Sequence, residues 1–235
     1  MNDNSLVVFK NHILNSLPAK DLERLLPCLE RMDLSLRQVI YEPEDEITHV
    51  YFPETAMFSV VAHSRDGAST EVAEIGVEGA PGVSVALGSQ TTPYGKIVQI
   101  AGTGYRMRAQ DFRDEIDRGG PLLKLTLKFL NKLIIQISQT SLCNRLHPVD
   151  KRLSKWLLMR NDRLKSNELS VTQEYVAELL GTSRESITIA AIQLQKKGYI
   201  IHSRGKLTIT DRPALEAFSC ECYSVIKTAY TEHNE

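Results

Sequence analysis

The stretch Val171–Lys197, VTQEYVAELLGTSRESITIAAIQLQKK, admits few local folds. Thr172 stands where an N-cap is needed, and Tyr175, Val176 and Leu179 form one inward stripe, which predicts a short helix. Gly181 follows where the chain must turn sharply, since a residue without Cβ takes positive φ at little cost. Thr182 or Ser183 can cap a second helix, whose Ile187, Ala190, Ala191 and Leu194 recur at helical spacing. Ala177 and Gly181 are both small, so the two helices can pack closely there. This is the helix-turn-helix pattern, which presents the N-terminal residues of its second helix to a DNA major groove. Here those residues are Ser183, Arg184, Glu185, Ser186 and Thr188, all polar and opposite the apolar side. An ordinary helical hairpin with a solvated face fits the same pattern, so the rest of the chain has to decide.

A DNA reader needs positive charge against phosphate. The formal net charge of the 235 residues is −1, but it is unevenly spread. Residues 145–210 carry 12 Lys and Arg against 6 Asp and Glu, whereas residues 1–144 carry 14 against 18 and residues 211–235 carry 2 against 5. The basic excess coincides with the predicted reading helix. The hydrophobic fraction of 42% and charged fraction of 24% suit a globular chain long enough for two cores. No apolar run approaches the roughly 20 residues that span a bilayer. The start, MNDNSLVVFKNHILNSL, lacks the basic and apolar regions of a secretory signal, so a cytoplasmic location is expected.

The first 120 residues are patterned differently. Ile13, Leu14, Leu17, Leu22, Leu25 and Leu26, with Pro18 near a helix start, predict one or two short helices. MDLSLRQVIY, HVYFPETAMFSVVAHS, STEVAEIG and KIVQIAGTGYRMRA then read as short strands, with Arg65-Asp66-Gly67 as a hairpin turn. Such spacing predicts an antiparallel sandwich or barrel. A short helix over Gln110–Asp117 ends at Gly119-Gly120.

Pro121 opens the longest regular segment. Leu123, Leu127, Leu130, Ile134 and Ile137 step as a heptad seam, and Leu122, Leu125, Phe129 and Leu133 form a second apolar stripe. Lys124, Lys128, Lys132 and Gln136 are expected on a polar face. Two apolar faces imply two partners, the chain's own β domain and the same helix of a second copy; burial of both faces within one monomer is the alternative. His147-Pro148-Val149-Asp150 breaks the helix. Beyond it, Leu153, Trp156, Leu157 and Met159 form an inward stripe, with Arg152, Lys155 and Arg160 expected outside. After the helix-turn-helix, Tyr199–His202 and Lys206–Thr210 form a basic hairpin at Ser203-Arg204-Gly205, a wing whose Arg204 and Lys206 would lie on phosphates or in the minor groove. A last helix is expected over Asp211–Tyr223. The expected division is therefore 1–120, 121–146 and 147–235.

The combination TQEYVAELLGTSRESIT, KKGYIIHSRGKLTITDRPALE and CNRLHPVDKRLSKWLL resembles the Crp/Fnr superfamily of bacterial transcription regulators over nearly the whole chain. The resemblance implies an α+β fold: an N-terminal antiparallel β-roll like a cyclic-nucleotide-binding domain, a long dimerisation helix and a C-terminal winged helix-turn-helix. It implies a cytoplasmic homodimer on double-stranded DNA, with RNA polymerase as a further partner. Thr172, Thr182, Ser183, Arg184, Glu185, Ser186, Thr188, Arg204 and Lys206 would form the DNA surface, with Thr182 and Ser183 on phosphate and Arg184 and Glu185 on base edges. Ile189 stands where many relatives have a second arginine, which predicts a different operator.

The nucleotide-binding relatives use a Gly-Glu pair for ribose and an Arg-Ser pair for phosphate; here Gly82-Val83 and Tyr94-Gly95 stand there, so cyclic nucleotide binding is not expected. The turn Glu74–Gly82 instead resembles a large subgroup lacking that site. The effector is unknown. Cys28, Cys143, Cys220 and Cys222 show neither CxxC pairing nor the sensors' N-terminal cysteine cluster, so free thiols, no metal and no cofactor are expected; a soft-metal or redox pair at Cys220-Glu221-Cys222 is the alternative. A ligand-binding signalling module with secondary DNA binding is the competing reading. An enzyme is not expected, because the β region has no His-x-His with a carboxylate, no nucleophile motif and no P-loop.

Overall fold

The computed structural model describes residues 8–164, 166–203 and 205–231. They form two compact units: the chain up to Val60 with Glu74–Asn131, and Val61–Ala73 with the chain from Lys132 onward.

The first unit begins with α1 (His12–Asn15) and α2 (Ala19–Leu25). Asn11 is fully buried, and its Oδ1 accepts from the Ile13 and Leu14 amides at 3.1 and 3.3 Å while its Nδ2 donates to the Pro53 and Gly79 carbonyls. One side chain thus caps α1 and seats it on the glycine-rich turn. The strands are β1 (Glu30–Leu34), β2 (Val39–Tyr41), β3 (His49–Pro53), β4 (Met57–His63), β5 (Ser69–Ile75), β6 (Gly95–Ile100) and β7 (Gly102–Arg108), with Val61–Ala73 of β4, its turn and β5 counted in the second unit. They make two sheets, ordered β1-β7-β3 and β2-β6-β4-β5. Strand β7 is antiparallel to both neighbours, with Tyr105 opposite Arg31 on one side and Phe52 on the other. Val50, Phe52, Phe58, Val98, Met107 and Phe112 fill the core.

Two glycines of the Glu74–Gly82 turn are needed for space. A Cβ on Gly82, at φ +94°, would lie 2.5 Å from the His49 carbonyl oxygen, and one on Gly79 would lie 2.1 Å from the Phe129 ring. The hairpin expected at Arg65-Asp66-Gly67 forms, with Gly67 at φ +88° and the Ser64 amide 2.8 Å from the Ala68 carbonyl. Helix α3 (Ala109–Asp117) leads to α4 (Pro121–Leu146), which contributes residues to both units. On α4, Leu122 and Phe129 are buried, Leu123 and Leu130 are half-buried, and Leu127, Ile134 and Ile137 are 48, 61 and 36% exposed. Lys132 and Gln136, expected on a polar face, are instead buried. The Tyr230 hydroxyl donates to Gln136 Oε1 at 2.7 Å, and the Lys132 ammonium stands 5.7 Å from the Tyr230 ring centroid, so the aromatic residue contacts both.

The second unit is built on α5 (Val149–Leu164), whose residues from Arg152 to Asn161 are all buried. The expectation that Arg152, Lys155 and Arg160 face outward is therefore corrected. Arg160 lies 4.0 Å above the Trp156 ring and pairs with Glu71 at 3.1 Å; Arg152 donates to the Leu180 carbonyl; Lys155 Nζ is 3.4 Å from Thr140 Oγ1. The Glu71 carboxylate offsets the desolvation of Arg160, whereas Arg152 and Lys155 meet a carbonyl and a hydroxyl, and burial pulls the Arg152 pKa down. Around α5 lie β8 (Glu168–Ser170), α6 (Gln173–Leu179), α7 (Arg184–Lys196), β9 (Ile200–Ser203), β10 (Lys206–Ile209), α8 (Arg212–Phe218) and α9 (Glu221–Thr231). Strand β8, which the polar sequence around it did not announce, joins the hairpin as a third strand, in the order β8-β10-β9. The single helix expected over Asp211–Tyr223 is two helices, because the chain leaves helical geometry at Ser219, φ −62° and ψ 172°. Arg212 holds both to α5 by bonds to Asn161 Oδ1 at 2.8 Å, Tyr223 Oη at 2.9 Å and the Asp162 carboxylate.

Candidate nucleic-acid interface

The local chemistry of α6 and α7 is the one their residues predict. Thr172 caps α6, its hydroxyl accepting from the Tyr175 amide at 3.3 Å. Gly181 turns the chain at φ +56°, and a Cβ there would also meet Thr70 Oγ1 at 3.1 Å. Of the two candidate caps for α7, Ser183 serves, accepting from the Ser186 amide at 3.1 Å. Thr182 is half-buried, its amide bonded to the Ala177 carbonyl at 2.9 Å. Ile187, Ala190, Ala191 and Leu194 are buried against α5 and α6, which fixes the rotation of α7 about its axis.

That rotation decides what α7 shows. Ser183, Arg184 and Glu185 are exposed at its N-terminal end, where unpaired backbone amides add positive potential. Arg184 has a loose partner, its Nε 3.9 Å from Glu174 Oε2, with both side chains mostly in solvent. A surface pair of this kind contributes little and releases the guanidinium readily. Thr188 is half-buried; its hydroxyl lies 2.8 Å from Gln173 Oε1 and 2.9 Å from the Arg184 carbonyl. Its polar atom is thus engaged within the protein. Gln173 continues to His202 Nε2 at 3.2 Å, and Gln195 Oε1 accepts from the His202 amide at 2.8 Å, so a chain of polar contacts locks α7 to the hairpin strand β9.

Sequence reasoning gave no role to Ile192. It is 47% exposed and Ile189 is 51% exposed, a pair of large apolar side chains exposed on α7 five and eight residues beyond Arg184. Their spacing was legible as a break in the polar face. An open groove bordered by Thr172, Gln173, Glu174, Arg184, His202 and Gly205 separates α7 from the hairpin. Lys206 opens β10 just after the hairpin turn, half its side chain in solvent, 2.6 Å from Glu168 Oε1. Arg204, the other wing residue expected on DNA, lies outside the described residues. The basic surface is smaller than the sequence count, since Arg152, Lys155 and Arg160 are interior.

The seam residues Leu123, Leu127, Leu130, Ile134 and Ile137 make no part of this surface. Leu123 and Leu130 are half-buried, and Ile134 is the most exposed of them at 61%. No helix of the described residues is long and apolar enough to cross a membrane. Val83 is buried and Tyr94 is 43% exposed.

Residues 151–218 match the Crp-like helix-turn-helix domain family. No curated protein matches the sequence. Among solved structures, a transcriptional regulator assigned to the Crp/Fnr family from Eubacterium rectale superposes with a TM-score of 0.71 at 19% identity, covering 88% of this chain and 97% of that one. FixK2 from Bradyrhizobium japonicum gives 0.71 at 13% identity, over 82 and 98%. A Crp-family transcriptional regulator from Thermus thermophilus gives 0.65 at 18% identity, over 80 and 95%. At such identities the likeness is one of fold, and it runs through almost the full length of each neighbour.

Proposed function

With a Crp-like helix-turn-helix domain on the fold of the Crp/Fnr regulators as its premise, we propose that this chain is a homodimeric, sequence-specific DNA-binding transcription regulator. The observation that carries the reading is the orientation of α7. Its apolar face is fixed in a core while Arg184 and Glu185 are exposed at its N-terminal end, beside a hairpin that bears Lys206. This is the placement from which a helix reads base edges and a wing neutralises phosphate. Arg184 can bridge O6 and N7 of guanine, and Glu185 can accept from cytosine N4. Ser183 and Thr182 serve the adjacent phosphate, and Ser186 and Thr172 line the approach.

Ile189 and Ile192 give the operator its difference. An apolar side chain facing the groove favours the thymine methyl group, where an arginine would select guanine. With the Thr188 hydroxyl engaged internally, the next base position is read by shape and methyl contact. The β domain then acts as a sensor or structural module without the nucleotide-phosphate arginine, and RNA polymerase is the partner through which regulation is exerted. The exposed stripe Leu127, Ile134 and Ile137 supports pairing of two α4 helices.

The test is selection of bound DNA from a random pool, followed by Arg184→Ala. The expected result is a two-fold-related site, with the variant losing about 1–3 kcal/mol, roughly 5- to 150-fold in affinity, and relaxing at one base position per half-site. Unchanged affinity and unchanged preference would refute the assignment of α7 as the reading helix.

A further inference from the structure

Cys143 and His147 lie some 75 residues before Cys220 and Cys222, yet the ligand atoms of all four lie within 4.8 Å of one another. Cys143 and His147 face the same way because they are four residues apart at the end of α4, where the His147 amide donates to the Cys143 carbonyl at 3.0 Å. Cys220 and Cys222 arrive through the break between α8 and α9, the feature that a single continuous helix would have lacked. The three sulfurs are buried and form a cluster of their own, apart from the large aliphatic core of the second unit. Thiols used merely as small core residues would be dispersed among Leu and Ile.

We propose that these four residues bind a single zinc ion, coordinated by three thiolates and His147 Nδ1. The spacing carries the assignment. Zinc bonds of about 2.3 Å to sulfur and about 2.0–2.1 Å to nitrogen put tetrahedral S···S edges near 3.8 Å and S···N edges near 3.6 Å. Cys143 Sγ and Cys220 Sγ are 3.6 Å apart, and Cys222 Sγ is 3.6 Å from His147 Nδ1. In a four-iron cluster each ligand sits on its own iron, which holds the thiolates further apart than this. The other imidazole nitrogen completes the case: His147 Nε2 is 3.3 Å from Glu221 Oε1. A carboxylate on the far nitrogen fixes the tautomer that leaves Nδ1 free to bind metal, the usual support of a zinc-bound histidine. On binding, three thiols release their protons to solvent and the site carries one net negative charge. Lys155, buried and 3.4 Å from Thr140 one turn before Cys143, supplies positive charge on that side.

The four ligands flank the segment 151–218 on both sides. The ion therefore closes the helix-turn-helix domain into a loop, pinning the C-terminal end of α4 to the start of α9 and removing chain entropy from the unfolded state. This inference stands independently of DNA binding, and its readout is the metal.

The experiment uses the full chain purified under reducing, anaerobic conditions after growth with added zinc. Elemental analysis should find about one zinc per chain. Exchange for cobalt should give the intense visible bands of tetrahedral coordination together with thiolate charge-transfer absorption. Cys222→Ser should weaken zinc retention by at least tenfold and lower the charge-transfer intensity by about a third, following the loss of one thiolate of three. His147→Cys should keep zinc and raise that intensity, which guards against a variant that merely unfolds, and Cys28→Ser should change nothing. Zinc below one tenth per chain after loading, acid-labile sulfide in the protein, or loss of metal on Cys28→Ser equal to that on Cys222→Ser would each overturn the proposal. So would a Cys143–Cys220 disulfide in anaerobic protein that takes up no cobalt.

Discussion

Lys96 is 8% exposed, and its ammonium contacts Thr92 Oγ1 at 3.3 Å and the Tyr94 carbonyl at 3.2 Å. Neither neighbour is charged, and burial pulls its pKa from 10.5 down to about 8. Between those two values the unfolded chain holds a proton that the folded chain has released, so stability rises with pH across that window. At neutral pH both states are charged and the fold carries the desolvation cost, of the order of 3 kcal/mol at about 1.4 kcal/mol per pH unit. Urea unfolding between pH 7 and pH 10 should therefore show a rising midpoint, and Lys96→Met should flatten the rise and stabilise the protein at pH 7. A wild-type midpoint independent of pH would disprove the burial argument. Sequence alternation placed Lys96 on a strand and pointed it away from the position of the nucleotide phosphate, but its burial depends on the sheet's packing. Arg152 and Arg160 teach the same lesson in α5: a charged residue reads as solvent-facing until a Leu180 carbonyl or a Glu71 carboxylate is brought to it from elsewhere in the chain.

At the scale of elements, α7 was legible from its residues almost completely. Capping by Ser183, the turn at Gly181 and the buried stripe all follow from chemistry within one segment of chain. The two roles assigned to Ser183, helix cap and phosphate contact, can be separated. Ser183→Ala should cost about 1 kcal/mol of stability by removing the bond to the Ser186 amide. Ser183→Asp should keep the cap and the stability to within about 0.5 kcal/mol, yet weaken DNA binding by placing a negative charge against phosphate. Thermal unfolding beside a DNA titration distinguishes them, and a Ser183→Asp variant that binds DNA as well as wild type would remove Ser183 from the interface. The closing helix was misjudged as one element because nothing in RPALEAFSCECYSV forbids helix locally. Ser219 leaves it so that Leu215 and Tyr223 can both be buried in the same core and Arg212 can reach Asp162. Strand β8 is three residues long and exists by virtue of the edge that β10 offers it.

At the scale of the whole molecule, the proposed pairing with a second copy places the exposed apolar stripe of α4 at the interface. Ile134, at 61% exposure, stands at its centre. Ile134→Glu places a charge in a seam that is apolar when two helices pair. Light scattering should then find monomers in place of dimers, with operator binding lost while the fold by circular dichroism is kept. Dimers that persist would show that α4 is not the pairing surface. What the sequence determined by itself was whatever its neighbours in the chain could decide. That comprises the helix-turn-helix with its caps and turn, the hairpin at Arg65-Asp66-Gly67 and the long helix that opens at Pro121. Periodicity and capping act over a few residues, so their signals survive in one dimension. Only the tertiary structure decided which cations are buried, where the last helix breaks, and that Cys143, His147, Cys220 and Cys222 share one place. Those outcomes depend on which surfaces meet after the chain has folded back on itself, and contacts between residues some 75 positions apart leave no local pattern to read.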